Sequence, residues 1–387
     1  MKQMVISVGL ALVMSIFLMR APVTCVGPVA EALRDALGAS YLTYGLVSSL
    51  PVLMFGVVGF FAPVLFSRFS TKVGLFLVLS VLSFGLALRL IVALPALVLG
   101  TLLVGAGIAV LNTVIPVVLR HFFPGSVATA LGIYTAATGC SSFAGSLLAI
   151  PLLNATGTYA VSLGVWVVLA LPAAFFWFIS PDKSLPDLRA PERKPISGQA
   201  FSLILTKLPV IGTMCLQSLV VYAMIAWLPP LLMSQGMKPG SAGLALSVLL
   251  IGATVSSLLI TPMIRLFGSE KRLSLVLTFL SIAPFALLFF SGIWPFFACA
   301  LLSVPHGARF SLALILISKS ASSLPEMLFL SSLSQGLGYS LAALGPIFCA
   351  GLYGGDGNWA GVLIFLAAAS ILWGIMAVLG FAQAKKA

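Results

Sequence analysis

Long apolar runs, each closed by a charge, a proline or a glycine cluster, recur along the whole chain. They fall at about 4–33, 41–66, 73–93, 95–120, 126–153 and 158–180, and again at about 200–233, 241–266, 273–292, 295–318, 325–353 and 358–382. A bilayer span needs about 20 apolar residues, and every run is long enough to supply one. The pattern predicts twelve transmembrane helices and an all-α polytopic membrane protein. Residues 181–199, PDKSLPDLRAPERKPISGQ, interrupt it with four prolines and four Lys or Arg. They divide the chain into an N-terminal six-helix half, 1–180, and a C-terminal six-helix half, 200–387, joined by a cytoplasmic linker.

Composition narrows the class further. The 387 residues are 61% apolar and 7% charged, whereas a soluble domain carries roughly a quarter of its residues as charges. Soluble enzymes, secreted domains and nucleic-acid binders are excluded. The net charge of +12 first suggests anionic partners, but sorting the cations by side gives another account. Of the 20 Lys and Arg, three (Arg20, Arg89 and Arg309) fall inside predicted helices and two (Arg34 and Lys238) on the outer side; the other fifteen lie on the inner side. That is a positive-inside pattern. It predicts a multi-pass protein of the cell inner (plasma) membrane with both termini cytoplasmic.

The first nineteen residues resemble a secretory signal, yet Arg20 stands where small residues would mark cleavage, and a retained first helix is expected. The five cysteines show no CxxC pair and no His at ligand spacing, so free apolar thiols are expected, with no disulfide, metal or other cofactor.

The two halves repeat. A shift of 199 residues places Pro63 on Pro262, Lys72 on Lys271, Arg120 on Lys319 and Gly139 on Gly338, bringing the basic turns of the two halves into one register. Two such halves joined by a linker resemble the plan of the major facilitator fold. Helix one carries MRAPVTCVGPVAEALR (19–34), helix four GAGIAVLNTVIPVVLR (105–120), helix seven LQSLVVYAMIAWLPPLL (216–232) and helix eleven SQGLGYSLAALGP (334–346). On these segments the chain resembles the cyanate and 2-nitroimidazole transporter branch of the major facilitator superfamily. Two stretches depart from the branch. The loop after helix two, FSRFSTK (66–72), has no acid, and helix ten, SVPHGARFSLALILISKS (303–320), carries His306 and Arg309 where an apolar, Gly-rich stretch is expected.

The resemblance implies that helices one, four, seven and ten line a substrate cavity, worked by alternating access. Arg20 and Arg309 lie on two of these helices. A charge at the bilayer centre costs about 2.5–3.5 kcal/mol even on the lenient insertion scale, so such residues usually face a cavity. Guanidinium groups suit a negative or strongly polarised solute. The other reading is that each bonds backbone carbonyls beside Pro22 or Pro305 and serves packing alone. Arg89, near the outer end of helix three, is expected to snorkel.

Further candidates for substrate contact are Thr24 one turn beyond Arg20, Asn112 on helix four, Tyr134 on helix five, Gln217, Tyr222 and Trp227 on helix seven, His306 on helix ten and Gln335 on helix eleven. Asn112 could instead satisfy the carbonyl freed by Pro116, and Trp227 could anchor at the membrane interface. His306 and Glu31 are the candidates for proton coupling, although Glu31 also reads as a wetted surface acid and His306 as a structural group. Glu326 is expected to cap helix eleven behind Pro325.

The expected function is secondary transport of a small anionic or nitro-bearing solute, with lipid as the surrounding partner, no nucleic acid and a monomeric state. Broad drug efflux is the alternative. A membrane enzyme or receptor ranks last, because no catalytic cluster or sizeable soluble domain is present.

Overall fold

The computed structural model describes residues 2–59, 66, 68–123, 127–181, 185–186, 205–290, 292–321, 324–354 and 358–384. All regular structure among them is helical. Two compact units divide the chain, Met1–Arg193 and Lys194–Ala387.

In the first unit helix one is built from three segments, Lys2–Leu18, Ala21–Thr24 and Ala30–Leu37. Helix two spans Tyr41–Gly59, three Thr71–Leu88, four Leu94–Phe122 and five Val127–Thr156, while six runs as Tyr159–Gly164 and Val167–Ile179. In the second, helix seven spans Leu208–Ser234, eight Pro239–Leu258 with Ile260–Phe267, nine Glu270–Leu287, ten Trp294–Lys319, eleven Leu324–Ala342 with Leu344–Tyr353, and twelve Ala360–Ala384. Local chemistry sets the ends. Helices four, seven, eight and ten open with a proline in their first two positions, where no N–H is missed. The Ser269 hydroxyl accepts from the Arg272 N–H at the start of helix nine. Gly38 closes helix one in the left-handed region at φ 57°, a conformation cheap only for glycine.

Eleven of the described helices are long and apolar enough to cross a membrane. Helix nine falls outside that set because it opens on Glu270, Lys271 and Arg272. These charges sit at its end, and the Lys319 ammonium at the foot of helix ten lies 2.6 Å from the Glu270 carboxylate.

Helix packing repeats from unit to unit. Helix two packs on four, three on four and six, and one on five and six; likewise eight packs on ten, nine on ten and twelve, and seven on eleven and twelve. Close approach is set by small residues. A Cβ on Gly85 of helix three would meet the Gly100 carbonyl of helix four at 2.8 Å, and one on Gly100 would meet the Gly85 carbonyl at 2.6 Å. Such crossings hold helices together where lipid supplies no hydrophobic drive between them.

The linker falls mostly outside the described residues, as do Asp182, Asp187, Glu192, Asp356 and the Glu326 side chain, so the expected cap of helix eleven lies outside them too. Of the segment, the Pro186 carbonyl accepts from the Thr71 hydroxyl at the start of helix three. The five cysteines are free thiols, four of them buried and Cys140 exposed.

Candidate functional site

Helix one, expected as a single run, is interrupted where its prolines fall. Pro22 has no N–H to return to the Leu18 carbonyl, and its ring crowds that carbonyl; regular helix stops at Leu18 and resumes at Ala21. Arg20 sits in the gap with φ −129° and ψ −44°. Its carbonyl accepts from the N–H groups of Val23 and Thr24 at 3.0 and 3.1 Å. A second interruption follows at residues 25–29, around Gly27 and Pro28. Broken backbone inside a membrane is tolerated only where protein groups or a wet cavity satisfy it.

Neighbouring helices do this for helix one. The Ala21 N–H donates to the Ser141 hydroxyl of helix five at 2.9 Å, and that hydroxyl donates to the Phe17 carbonyl. The Thr24 hydroxyl donates to the Ser142 carbonyl at 2.9 Å. Gly145 allows the close contact, since a Cβ there would come within 2.7 Å of the Ala21 Cα and strike the Thr24 hydroxyl. On the other side, Arg89 Nη1 donates to the Pro22 carbonyl at 2.8 Å. That carbonyl is left over because the helix does not continue to Val26.

This corrects one expectation. Arg89 does not snorkel; it is 1% exposed and holds helix one. Thr24 is equally sealed, and its hydroxyl is committed to helix five instead of an open face. Arg20 differs from both, being half-buried. It lies in electrostatic reach of the half-buried Tyr134 of helix five, whose hydroxyl is 4.0 Å from the Met19 sulfur. Asn112 on helix four is half-buried as well, and no hydrogen bond joins its amide to a described residue. It therefore does not cap the carbonyl freed by Pro116.

The second unit treats its arginine differently. Arg309 is 3% exposed and turned toward helices nine and twelve. Nη1 donates to Ser370 Oγ at 3.1 Å, and Nη2 to the Leu277 carbonyl at 3.3 Å and to Ser281 Oγ. The guanidinium carbon stands 4.6 Å from the centre of the Trp373 ring. Hydroxyls, a carbonyl and a π face hold this cation without a carboxylate. Of the two readings for Arg309, this geometry fits packing. His306, one turn earlier, is 7% exposed, and its Nε2 is buried without a hydrogen-bond partner among the described residues.

Trp227 also lies inside a packed cluster. Its indole N–H donates to the Pro346 carbonyl at 2.9 Å, and its ring centre is 5.9 Å from Tyr353 and 5.8 Å from Trp359. Tyr222 meets Tyr339 edge-on at 6.1 Å. Gln217 donates to Ser218 Oγ at 2.7 Å, while its buried Oε1 has no hydrogen-bond partner among the described residues. Gln335 is half-buried and donates to Ser331 Oγ. Glu31 is ion-paired to Arg34 at 2.8 Å on the segment Ala30–Leu37, and Arg34 covers the Tyr41 ring at 3.3 Å.

The structure thus brings Arg20, Thr24 and Tyr134 into one neighbourhood, and His306 and Arg309 into another within the other unit. Sequence reading missed Ser141, Ser281 and Ser370. A lone serine on an apolar helix gives no signal, because most such hydroxyls return to their own i−4 carbonyl, as Thr135 and Ser142 do here.

Two helical units with matching plans, most charges at helix ends, and a broken helix bearing an accessible arginine are the features of a polytopic membrane protein built to pass a solute. The chain belongs to the Major Facilitator Superfamily, whose model matches residues 12–343. It is 30% identical over 367 residues to the uncharacterized transporter YycB of Bacillus subtilis strain 168, covering 92% of this chain and 89% of that protein. It is 27% identical to the 2-nitroimidazole transporter of Escherichia coli K12 over 95% of this chain and 92% of that one, and 24% identical to the cyanate transport protein CynX of the same organism over 88% of each. In fold it is similar to the inward-facing bacterial homolog of the lysosomal transporter Spinster, with a TM-score of 0.73 at 15% identity over 99% of this chain and 97% of the other. The nucleoside transporter NupG also gives 0.73 at 15% identity, over 96% and 98%. The protein is a membrane transporter and not an enzyme.

Proposed function

We propose that this protein is a secondary transporter of the cell inner membrane that carries a small anionic or nitro-bearing solute by alternating access, with Arg20 as the group that receives the solute's negative or polarised end. One observation carries the reading. Of the three arginines in the apolar segments, Arg89 and Arg309 are sealed against other helices, while Arg20 keeps accessible surface at a break in helix one. An intramembrane cation with accessible surface is most economically explained by a solute, and a planar guanidinium can clamp a carboxylate-like or nitro group with paired donors. Tyr134 supplies a hydroxyl and an aromatic edge beside it, and Asn112 an uncommitted amide. The names of the E. coli relatives point to the same chemistry, cyanate being a small anion and 2-nitroimidazole a nitro compound. In the second unit Gln217, Tyr222 and Gln335 remain candidates, whereas Trp227 and Arg309 are assigned to packing.

The deciding measurement is uptake of labelled cyanate and of 2-nitroimidazole by proteoliposomes holding wild-type protein, Arg20→Ala or Arg20→Lys. The alanine variant should lose at least 90% of the rate while folding normally, and the lysine variant should keep part of it because charge survives without the planar fork. A fully active alanine variant overturns the assignment.

A further inference from the structure

The Ser141 hydroxyl occupies a position in the backbone ladder of a different helix. In an unbroken helix one, the Ala21 N–H would donate to the Phe17 carbonyl. Here the N–H donates to Ser141 Oγ at 2.9 Å, and Ser141 Oγ donates in turn to the Phe17 carbonyl. One side chain of helix five has entered the i→i−4 ladder of helix one, which is a recognised cause of a sharp helix bend. Ser141 is fully buried, as is Ala21, so water does not compete for these bonds. The hydroxyl also gives up its own i−4 carbonyl, unlike its neighbour Ser142, which donates back to Thr138.

Pro22 explains why a substitute is needed. Its missing N–H and its ring disrupt the turn at the Leu18 carbonyl, and in that opened turn the neighbouring Ala21 N–H and Phe17 carbonyl are not joined to each other, so both must be satisfied from elsewhere. The opening falls at Arg20. Helix five therefore sets how far the two segments of helix one splay, and with that the direction in which the Arg20 side chain leaves the backbone. Gly145, one turn further along helix five, lets that helix come near enough for the hydroxyl to reach.

We infer that Ser141 is the positioning residue for Arg20: a hydroxyl splint, supplied by helix five, that holds the break in helix one at the angle the solute requires. It touches no solute itself. The inference rests on the reading of Arg20 as the solute-binding group, and its backbone half stands independently of that reading.

Hydrogen exchange and transport together test it. In purified Ser141→Ala protein, the peptide covering residues 17–24 should exchange about five-fold faster than in wild type, because Pro22 still keeps the helix from closing over the gap; helix two should be unchanged. The double variant Pro22→Ala/Ser141→Ala should return that peptide to slow exchange, since the ladder can then close directly, but should not restore transport, since Arg20 has been turned. In proteoliposomes the KM of Ser141→Ala for cyanate should rise several-fold with a smaller change in Vmax, and Ser141→Thr, which keeps the hydroxyl, should stay near wild type. Unchanged exchange in Ser141→Ala, or fast exchange persisting in the double variant, overturns the splint. Faster exchange with an unchanged KM overturns the positioning of Arg20. If wild-type protein carries neither cyanate nor 2-nitroimidazole, the functional reading fails while the exchange arms still decide the splint.

Discussion

An arginine sealed inside a helical membrane protein must find partners within the protein, and Arg89 and Arg309 do so in different ways. Arg89 takes up a carbonyl left over by a broken helix, while Arg309 gathers two serines, a carbonyl and a tryptophan face. Hydrogen bonds to charged groups contribute about 1.5–3 kcal/mol. Arg309→Ala should therefore lower the thermal midpoint of the purified protein by several degrees, yet leave the KM for cyanate unchanged in the molecules that remain folded. A KM raised in step with that for Arg20→Ala would make Arg309 a solute ligand after all. Reading along the sequence places all three arginines within apolar segments, and that placement alone makes Arg20 and Arg309 look equivalent. What it lacked was azimuth. The three-residue spacing puts His306 and Arg309 on one face of helix ten, but only the packing against helices nine and twelve shows which neighbours that face meets.

At the level of elements, hydrophobic length located most helix ends to within about five residues, although helix seven, expected from about 200, is described from Leu208, and the breaks were partly visible as prolines. Pro22 and Pro28 sit in the sequence of helix one, yet a continuous run from 4 to 33 was the natural expectation, because membrane helices often carry prolines without breaking. The partner that makes a break tolerable lies 120 residues away on helix five, beyond any local pattern. Glycines behave likewise. Gly132 of helix five has nothing within 4 Å of a Cβ, whereas one on Gly307 of helix ten would run into the Ala253 backbone of helix eight, with the Ala253 Cα 2.9 Å away. Gly307→Ala should force helices eight and ten apart and sharply reduce the yield of monodisperse protein in size-exclusion chromatography. Gly132→Ala should be neutral. Equal yields for the two would mean that the close crossing of helices eight and ten is not maintained in the membrane.

For the molecule as a whole, the placement of charge bears on what drives transport. The described carboxylates are Glu31, Asp35 and Glu270, and none is buried; two are held by Arg34 and Lys319. The remaining acids lie by sequence in the linker, at the start of helix eleven and in a loop. A carrier that cycles a proton through a buried carboxylate has no group among the described residues with which to do it. If the solute is an anion received by Arg20, its own charge couples movement to the membrane potential. One charge crossing 100 mV gains about 2.3 kcal/mol, equivalent to about 50-fold in concentration at 1.4 kcal/mol per factor of ten. Proteoliposomes clamped near 100 mV, inside positive and at equal pH on both faces, should accumulate cyanate toward that ratio, and Arg20→Ala vesicles should show only the passive leak. A pH gradient at zero potential should give no accumulation above the Arg20→Ala level. If it did, a proton would have to travel with the solute, and His306, enclosed beside Arg309 with one nitrogen unpaired, would be the first residue to replace.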